Sequence, residues 1–340
     1  MNNIVNNVEF PHRKRESLLD YNYYSRIFSS IKKRAAILEK AFHRTEEEIK
    51  KIPLINLSNS TQQRAWDALN QMTLFYSAGH EIDELRDFYA VVLEWWEKYS
   101  KYDTAYDLSP ESENAEVAQL PLLGPGYEQA NRLLCFGVLL GKADLIPRLI
   151  PILDYNNPKR DGMLERLIGF YIPDRGVPPD ECTRHLPYFK TLKIFDAPQE
   201  NRPALMAKYL EDWYHASRRE PYHDSHDRGV NFFGYWSWES AAITFLLNID
   251  DTIYRDAQFY PKDLVEFARS LPERSTVSSV SSVSSLTDEE LRATAGQPCP
   301  KAGQWETLDI PPQTKFHEQD EVMLDLKSVY GLTVWRRIGD

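Results

Sequence analysis

Cysteine is scarce. Cys135, Cys182 and Cys299 are the only three in 340 residues, odd in number, far apart and in no C-x-x-C pair. That spacing excludes a disulfide framework and a cysteine-based zinc site, and isolated thiols suit a reducing cytoplasm. Glycine is low, at 14 residues, which disfavours a turn-rich all-β protein and favours helices. Long apolar runs are missing as well. Leu133 to Leu140 is about eight residues and too short to cross a bilayer. The start, M-N-N-I-V-N-N-V-E-F-P-H-R-K-R, lacks the apolar stretch of a secretory signal. The expectation is a cytoplasmic protein with no membrane contact. Basic charge is also in deficit, with 40 Lys+Arg against 51 Asp+Glu for a net charge of −11. A general nucleic-acid binder needs a basic footprint, so direct nucleic-acid binding is not expected.

What is abundant is aromatic: 8 Trp, 19 Tyr and 15 Phe, each able to bury a large area. At 42% hydrophobic and 27% charged, the chain is ordinary for a globular protein and can bury a core without staples. Charge is uneven along it. Residues 1–60 carry 11 basic and 7 acidic side chains, and residues 61–120 carry 4 and 12. The basic residues Arg13, Lys14, Arg15, Lys32, Lys33 and Arg34 read as a solvated helix face.

Periodicity predicts helices through most of the chain. A charged helix runs from Ser17 to Lys51 and is stopped by Pro53. Ser60 is a candidate N-cap for a second, through Trp66, Leu69, Met72, Leu74 and Phe75, which Gly79 closes. A third, from Glu81 to Tyr102, places Leu85, Phe88, Tyr89, Val92, Trp96 and Tyr99 on one face at the 3.6-residue period and carboxylates on the other. Tyr127–Leu140 and Ala143–Leu153 read as a helical hairpin. Helices also follow over Ala204–Arg219, over Ser237–Asn248 (apolar enough to be buried all round), and after Pro261. Pro110, Pro121, Gly124, Pro125 and Gly126 mark a connection between domains, with a boundary near Glu116. Seven serines in residues 275–286 read as a linker. Thr287 and Glu290 beyond it have capping-box spacing. Q-W-E-T-L, T-K-F-H-E-Q and G-L-T-V-W-R-R near the end read as short strands. The predicted fold is all-α: two helical domains packed together, at 10–116 and 117–273, a Ser-rich linker at 274–290, and a small β-rich tail at 291–340.

Two constellations invite a chemical reading. W-Y-H-A-S-R-R-E-P-Y-H-D-S-H-D-R-G-V-N-F-F-G-Y-W-S-W-E, at 213–239, holds His223, Asp224, His226 and Glu239. Imidazole and carboxylate can bind a metal for hydrolysis, but H-D-x-H lacks the helical H-x-x-x-H geometry that pre-orients such a site. The competing and favoured reading is structural, with Asp224 and Ser225 capping and the rings bonding backbone. Asp250-Asp251 likewise reads as a cap for the next turn rather than a proton-sharing pair. No nucleophile elbow, P-loop or dinucleotide fingerprint is present, and Cys182 sits among acids that disfavour its thiolate. On the acidic third helix, Trp95 and Trp96 point about 100° apart, so one of them could stand exposed as a binding anchor beside carboxylates.

The blocks W-Y-x-x-S-R-x-E-P-Y-x-D-x-H at 213–226, G-Y-W-S-W-E-S-A-A at 234–242, and I-D-D at 249–251 with Y-P-x-D-L-V-x-F-A-R at 260–269 resemble the PoNi family of bacterial immunity proteins. The resemblance is specific over roughly 120–270 and weaker over 10–116, and the linker and last fifty residues lie outside it. It implies an all-helical two-domain antidote encoded beside a PoNe-type toxin, a DNase often delivered by type VI secretion. The antidote binds that toxin in the cytoplasm and has no catalytic residues and no cofactor. Trp213, Tyr214, Arg218, Tyr222, Asp224, His226, Gly234, Tyr235, Trp236, Glu239, Asp250 and Asp251 then read as core and loop-fixing residues. An acidic protein can occupy the basic DNA-binding surface of a nuclease and steer the encounter. The toxin-binding candidates are Glu81, Asp83, Glu84, Asp87, Glu94, Trp95, Asp103 and Asp107. A homodimer is compatible with the sequence. The alternatives are a metal-dependent hydrolase using His223, Asp224, His226 and Glu239, and a helical adaptor or scaffold.

Overall fold

In a computed structural model, the described residues are 4–112, 117–229, 231–271, 291–307, 311–326 and 333–339. The Ser-rich stretch, the capping-box spacing at Thr287 and the boundary at Glu116 lie outside them. Helices dominate, and a single four-stranded sheet lies near the C-terminus. Contacts divide the chain into two compact units, each assembled from separated segments. Unit 1 is Met1–Lys159, Arg219–Glu239 and Asp263–Arg274; unit 2 is Arg160–Arg218, Ser240–Lys262 and Ser275–Asp340.

Unit 1 begins with the short α1 (Phe10–Arg13) and α2 (Tyr21–Phe42). The predicted helix to Lys51 breaks at His43, and the one-turn α3 (Glu46–Ile49) restarts behind a capping box formed by Thr45 and Glu48. The centre is a hairpin of two long helices, α4 (Leu54–Ala78) and α5 (Ile82–Asp107). α4 starts straight after Pro53 rather than at Ser60, because proline is pre-set for a first helical turn. Gly79 ends it in the left-handed conformation, φ +83°, with His80 N–H donating back to the Phe75 carbonyl. Pairing is antiparallel: Ser58, early in α4, donates to Asp103, late in α5, at 2.7 Å. Ala65, Ala68, Leu69, Met72 and Phe75 of α4 are fully buried, as are Leu85, Tyr89, Val92 and Trp96 of α5. Trp66 is 38% exposed, since it points about 100° away from Ala65. α6 (Gly126–Leu139) and α7 (Ile146–Asp154) also pack in unit 1, against α5.

The basic N-terminal residues are not all solvated. Arg15 donates to Asp263 at 2.6 Å and to the Tyr76 and His80 carbonyls, and Arg34 clamps Asp67 through two nitrogens at 2.7 and 2.8 Å. Paired guanidinium forks of this kind order the segments they join.

Unit 2 holds α8 (Gly162–Gly169), α9 (Leu192–Asp196) and α10 (Arg202–Ala216), together with Ser240–Leu246 of α12 (Trp238–Leu246), which is buried all round as its apolarity predicts. Asp161 caps α8, accepting from Met163 and Leu164 N–H. The short α11 (Ser225–Arg228) and α13 (Lys262–Ser270, directly after Pro261) complete the helices. The sheet has order β1–β4–β2–β3, all antiparallel, with β1 (Arg292–Thr294), β2 (Gly303–Thr307), β3 (Thr314–His317) and β4 (Val334–Gly339). Its own small core is Ala293, Cys299, Trp305, Met323 and Trp335. β2, β3 and β4 fall on the three predicted strands; β1 was not foreseen.

Candidate protein-binding site

Asp83, Glu84, Asp87 and Glu94 stand on the solvent face of α5 and are exposed. From Asp83 to Glu94 is eleven residues, about 16 Å of helix. The other candidates are engaged. Glu81 pairs with Arg13 at 2.7 Å. Asp103 is half-buried, and burial raises its carboxyl against the hydrogen bond from Ser58. Asp107 accepts from the Tyr155 hydroxyl at 3.1 Å. Trp95 is not an exposed anchor. It is 5% exposed, edge-on to Phe42 and under the Arg64 and Lys98 cations, while Trp96 is wholly buried. The helix is wide enough a wedge to bury both tryptophans, because α2, α4 and α5 converge there: Arg64 of α4 also pairs with Glu39 of α2. Glu84 has an inward partner too. His80 Nδ1 lies 3.1 Å from it, and His80 Nε2 lies 2.8 Å from the Tyr24 hydroxyl. Burial pushes the imidazole of His80 below its ordinary value.

Much of the aromatic segment is engaged in hydrogen bonds and ring contacts. In unit 1, Tyr235 N–H donates to Glu16, the Trp236 indole donates to Ser77 at 2.8 Å, and Tyr76 sits edge-on to both Trp236 and Trp238. Gly234 has φ +110°, and a Cβ there would lie 2.2 Å from Ser77 Oγ, so only glycine allows this close approach. Glu239 is 1% exposed and accepts from Asn131 at 2.8 Å and Ser237 at 2.6 Å. His226 Nδ1 meets the Tyr235 hydroxyl at 2.7 Å, and His223 meets Asp224 at 3.1 Å. Asp224 occupies the N-cap position of α11 but its side chain makes no capping bond. Tyr222 is half-buried and Arg218, exposed, donates to the His215 carbonyl. Of the four proposed ligands, His223 and Asp224 face each other, while His226 and Glu239 bond to other residues. Among the described residues no group of three His, Cys, Asp or Glu side chains is placed to hold a metal ion.

In unit 2, Trp213 and Tyr214 both pack on Phe259. Asp250 caps its turn by accepting from Thr252 N–H and hydroxyl. Asp251 turns inward to accept from the Tyr260 hydroxyl at 3.0 Å and to meet Arg255. Beside them an open groove of about 400 Å³ runs between α10 and residues 252–259. Its carboxylates are spent on lysines, Glu211 on Lys208 and Asp256 on Lys262. Burial pushes the thiols of Cys135 and Cys182 well above the ordinary range, so neither is poised as a nucleophile.

With that geometry in place, comparison with known proteins bears on one part of the chain. Residues 159–264 match the family model of PoNe immunity proteins (PoNi), C-terminal. The match spans 106 of the 340 residues. Among solved structures, the fold is similar to the crystal structure of protein PA2201 from Pseudomonas aeruginosa, with a TM-score of 0.58 and 19% identity over 77% of this chain and 96% of that one. At that identity the likeness concerns the fold alone. No curated protein gives a significant match. The matched segment contains most of the aromatic blocks described above. No described helix in the chain is long and apolar enough to cross a membrane.

Sequence reasoning missed a seam of charge in unit 2 formed by Arg166, Asp180, Asp196, Arg292 and Arg336. Its members span more than 150 positions and no periodicity links them.

Proposed function

We propose that this chain is an immunity protein that binds and neutralises a cognate PoNe-type nuclease toxin in the cytoplasm by covering its DNA-binding or active surface. The PoNi match over residues 159–264 carries the reading. The α5 face supports it: Asp83, Glu84, Asp87 and Glu94 present carboxylates to solvent along about 16 Å, and a nuclease is basic where it meets phosphate. In this reading the chain has no catalytic machinery of its own, takes no cofactor and binds no nucleic acid. The toxin is a DNase effector of type VI secretion, and Trp95, Asp103 and Asp107 support the face from behind. The division of the chain into segments 10–116 and 117–273 is part of the same proposal.

The test is co-purification with the product of the neighbouring gene. A one-to-one complex that survives size exclusion, and whose association slows steeply with salt, is expected. A neighbour that is no toxin, or failure of co-expression to restore growth, rejects the reading. Salt-independent association with intact rescue would reject only the α5 interface.

A further inference from the structure

The sheet carries an arrangement that does nothing for the sheet itself. Arg292 of β1 and Arg336 of β4 are directly paired across the strands. Like charges so placed repel. Both reach out of the sheet to Asp180: Arg292 meets one carboxylate oxygen, and Arg336 meets the other at 2.7 Å. Arg292 also lies 3.3 Å from Asp196, and Arg336 is braced from its own sheet by Glu306 at 2.8 Å. The two carboxylates belong to the PoNi-matched segment and the two arginines lie beyond it. The carboxylates are well buried, with side-chain exposures of 12% for Asp180 and 9% for Asp196. Within the segment itself Arg166 also answers Asp180, at 3.0 Å.

The fit is incomplete. One oxygen of Asp196 and the Nε groups of Arg292 and Arg336 are buried without a hydrogen-bond partner. Burial raises the Asp196 carboxyl despite Arg166 and Arg292 nearby. A permanent clamp would satisfy these groups. A site that a better-placed donor can contest need not.

We propose that Asp180 and Asp196 form a guanidinium-binding site on the PoNi-matched segment, filled in cis by the arginine pair of the C-terminal sheet and open to an arginine-rich segment of a partner when the sheet is displaced. Planar forks suit this site, because two oxygens of one carboxylate are already read by two guanidinium groups. The sheet keeps its own core of Trp305, Trp335 and Met323, so it can leave the site without losing that packing. This assignment is independent of the α5 interface.

The experiment uses the full chain and a fluorescent hexa-arginine peptide. In the double variant Arg292→Gln/Arg336→Gln, hydrogen exchange over residues 180–196 should rise at least tenfold in rate, and the peptide should bind at least tenfold more tightly than to wild type. Binding through the acidic α5 face is common to both proteins and cancels. Adding Asp196→Asn, which leaves the Asp180–Arg166 pair intact, should abolish the gain. If the double variant does not fold, Arg292→Lys and Arg336→Lys singly should each give a smaller gain in the same direction. Faster exchange with unchanged affinity would overturn the site. Unchanged exchange would overturn the claim that the arginine pair holds the sheet in place.

Discussion

Replacing Gly79 with alanine should destabilise unit 1 through two separable effects. The first is conformational: at φ +83°, an L-residue costs about 1–2 kcal/mol. The second is steric. A Cβ at Gly79 would lie 2.0 Å from the Arg13 carbonyl oxygen and 2.4 Å from its carbon. Backbone must therefore move, and overpacking of that kind costs roughly 1–3 kcal/mol. The displaced segment also carries Arg13, which donates to the Gly79 carbonyl and to Glu81, and Arg15, which reaches the Tyr76 and His80 carbonyls. Alanine stiffens the unfolded chain and returns about 0.4–1 kcal/mol, leaving a net loss of roughly 1–5 kcal/mol, centred near 3. Gly229 in the same unit is the control. It has φ +64° and open space where a Cβ would go, so Gly229→Ala should lose only about 1 kcal/mol. Urea denaturation followed by tryptophan fluorescence measures both. Equal losses in the two variants would refute the close approach of Arg13 as the cause.

Four further outcomes are expected. Asp161→Ala removes the α8 cap and leaves Thr183 N–H, now bonded at 2.7 Å, without its acceptor; a loss of roughly 2–4 kcal/mol by denaturation is expected. His80, whose proton affinity is lowered by burial, binds a proton more readily unfolded than folded. Stability should therefore be full above about pH 6.5 and fall as pH drops through the lower folded-state value, and calorimetry should show the slope flattened in His80→Gln. All three thiols are buried, so a thiol reagent should label the native protein slowly and titrate three groups only after unfolding. Neutralising the exposed face with Asp83→Asn, Asp87→Asn and Glu94→Gln should slow toxin association about tenfold or more at low salt while leaving the melting temperature within about 2 °C. Stopped-flow rates that do not change would remove that face from the interface.

How far the sequence reached follows from which signals are local. α5 was legible because its apolar positions keep one period from Leu85 to Tyr99, and Gly79 because a left-handed cap needs glycine. Asp250 reads as a turn cap from residue type and position, and it accepts from Thr252 N–H and hydroxyl. On α4, Ala65 and Leu69 carry the buried stripe and leave the larger Trp66 outside. Which of Trp95 and Trp96 is covered could not be read locally, since the burial of Trp95 depends on α2 and α4 arriving from elsewhere in the chain. β1 is three residues long and exists by pairing with β4, more than forty positions away. The Arg–Asp seam is non-local in the same way.

The proposal that this chain acts by covering a nuclease is tested most directly by titrating it into a DNA-cleavage assay of the product of the neighbouring gene. Cleavage should fall in proportion to added protein and vanish at one equivalent, with no cleavage by the chain alone. Cleavage that persists in molar excess would contradict the account.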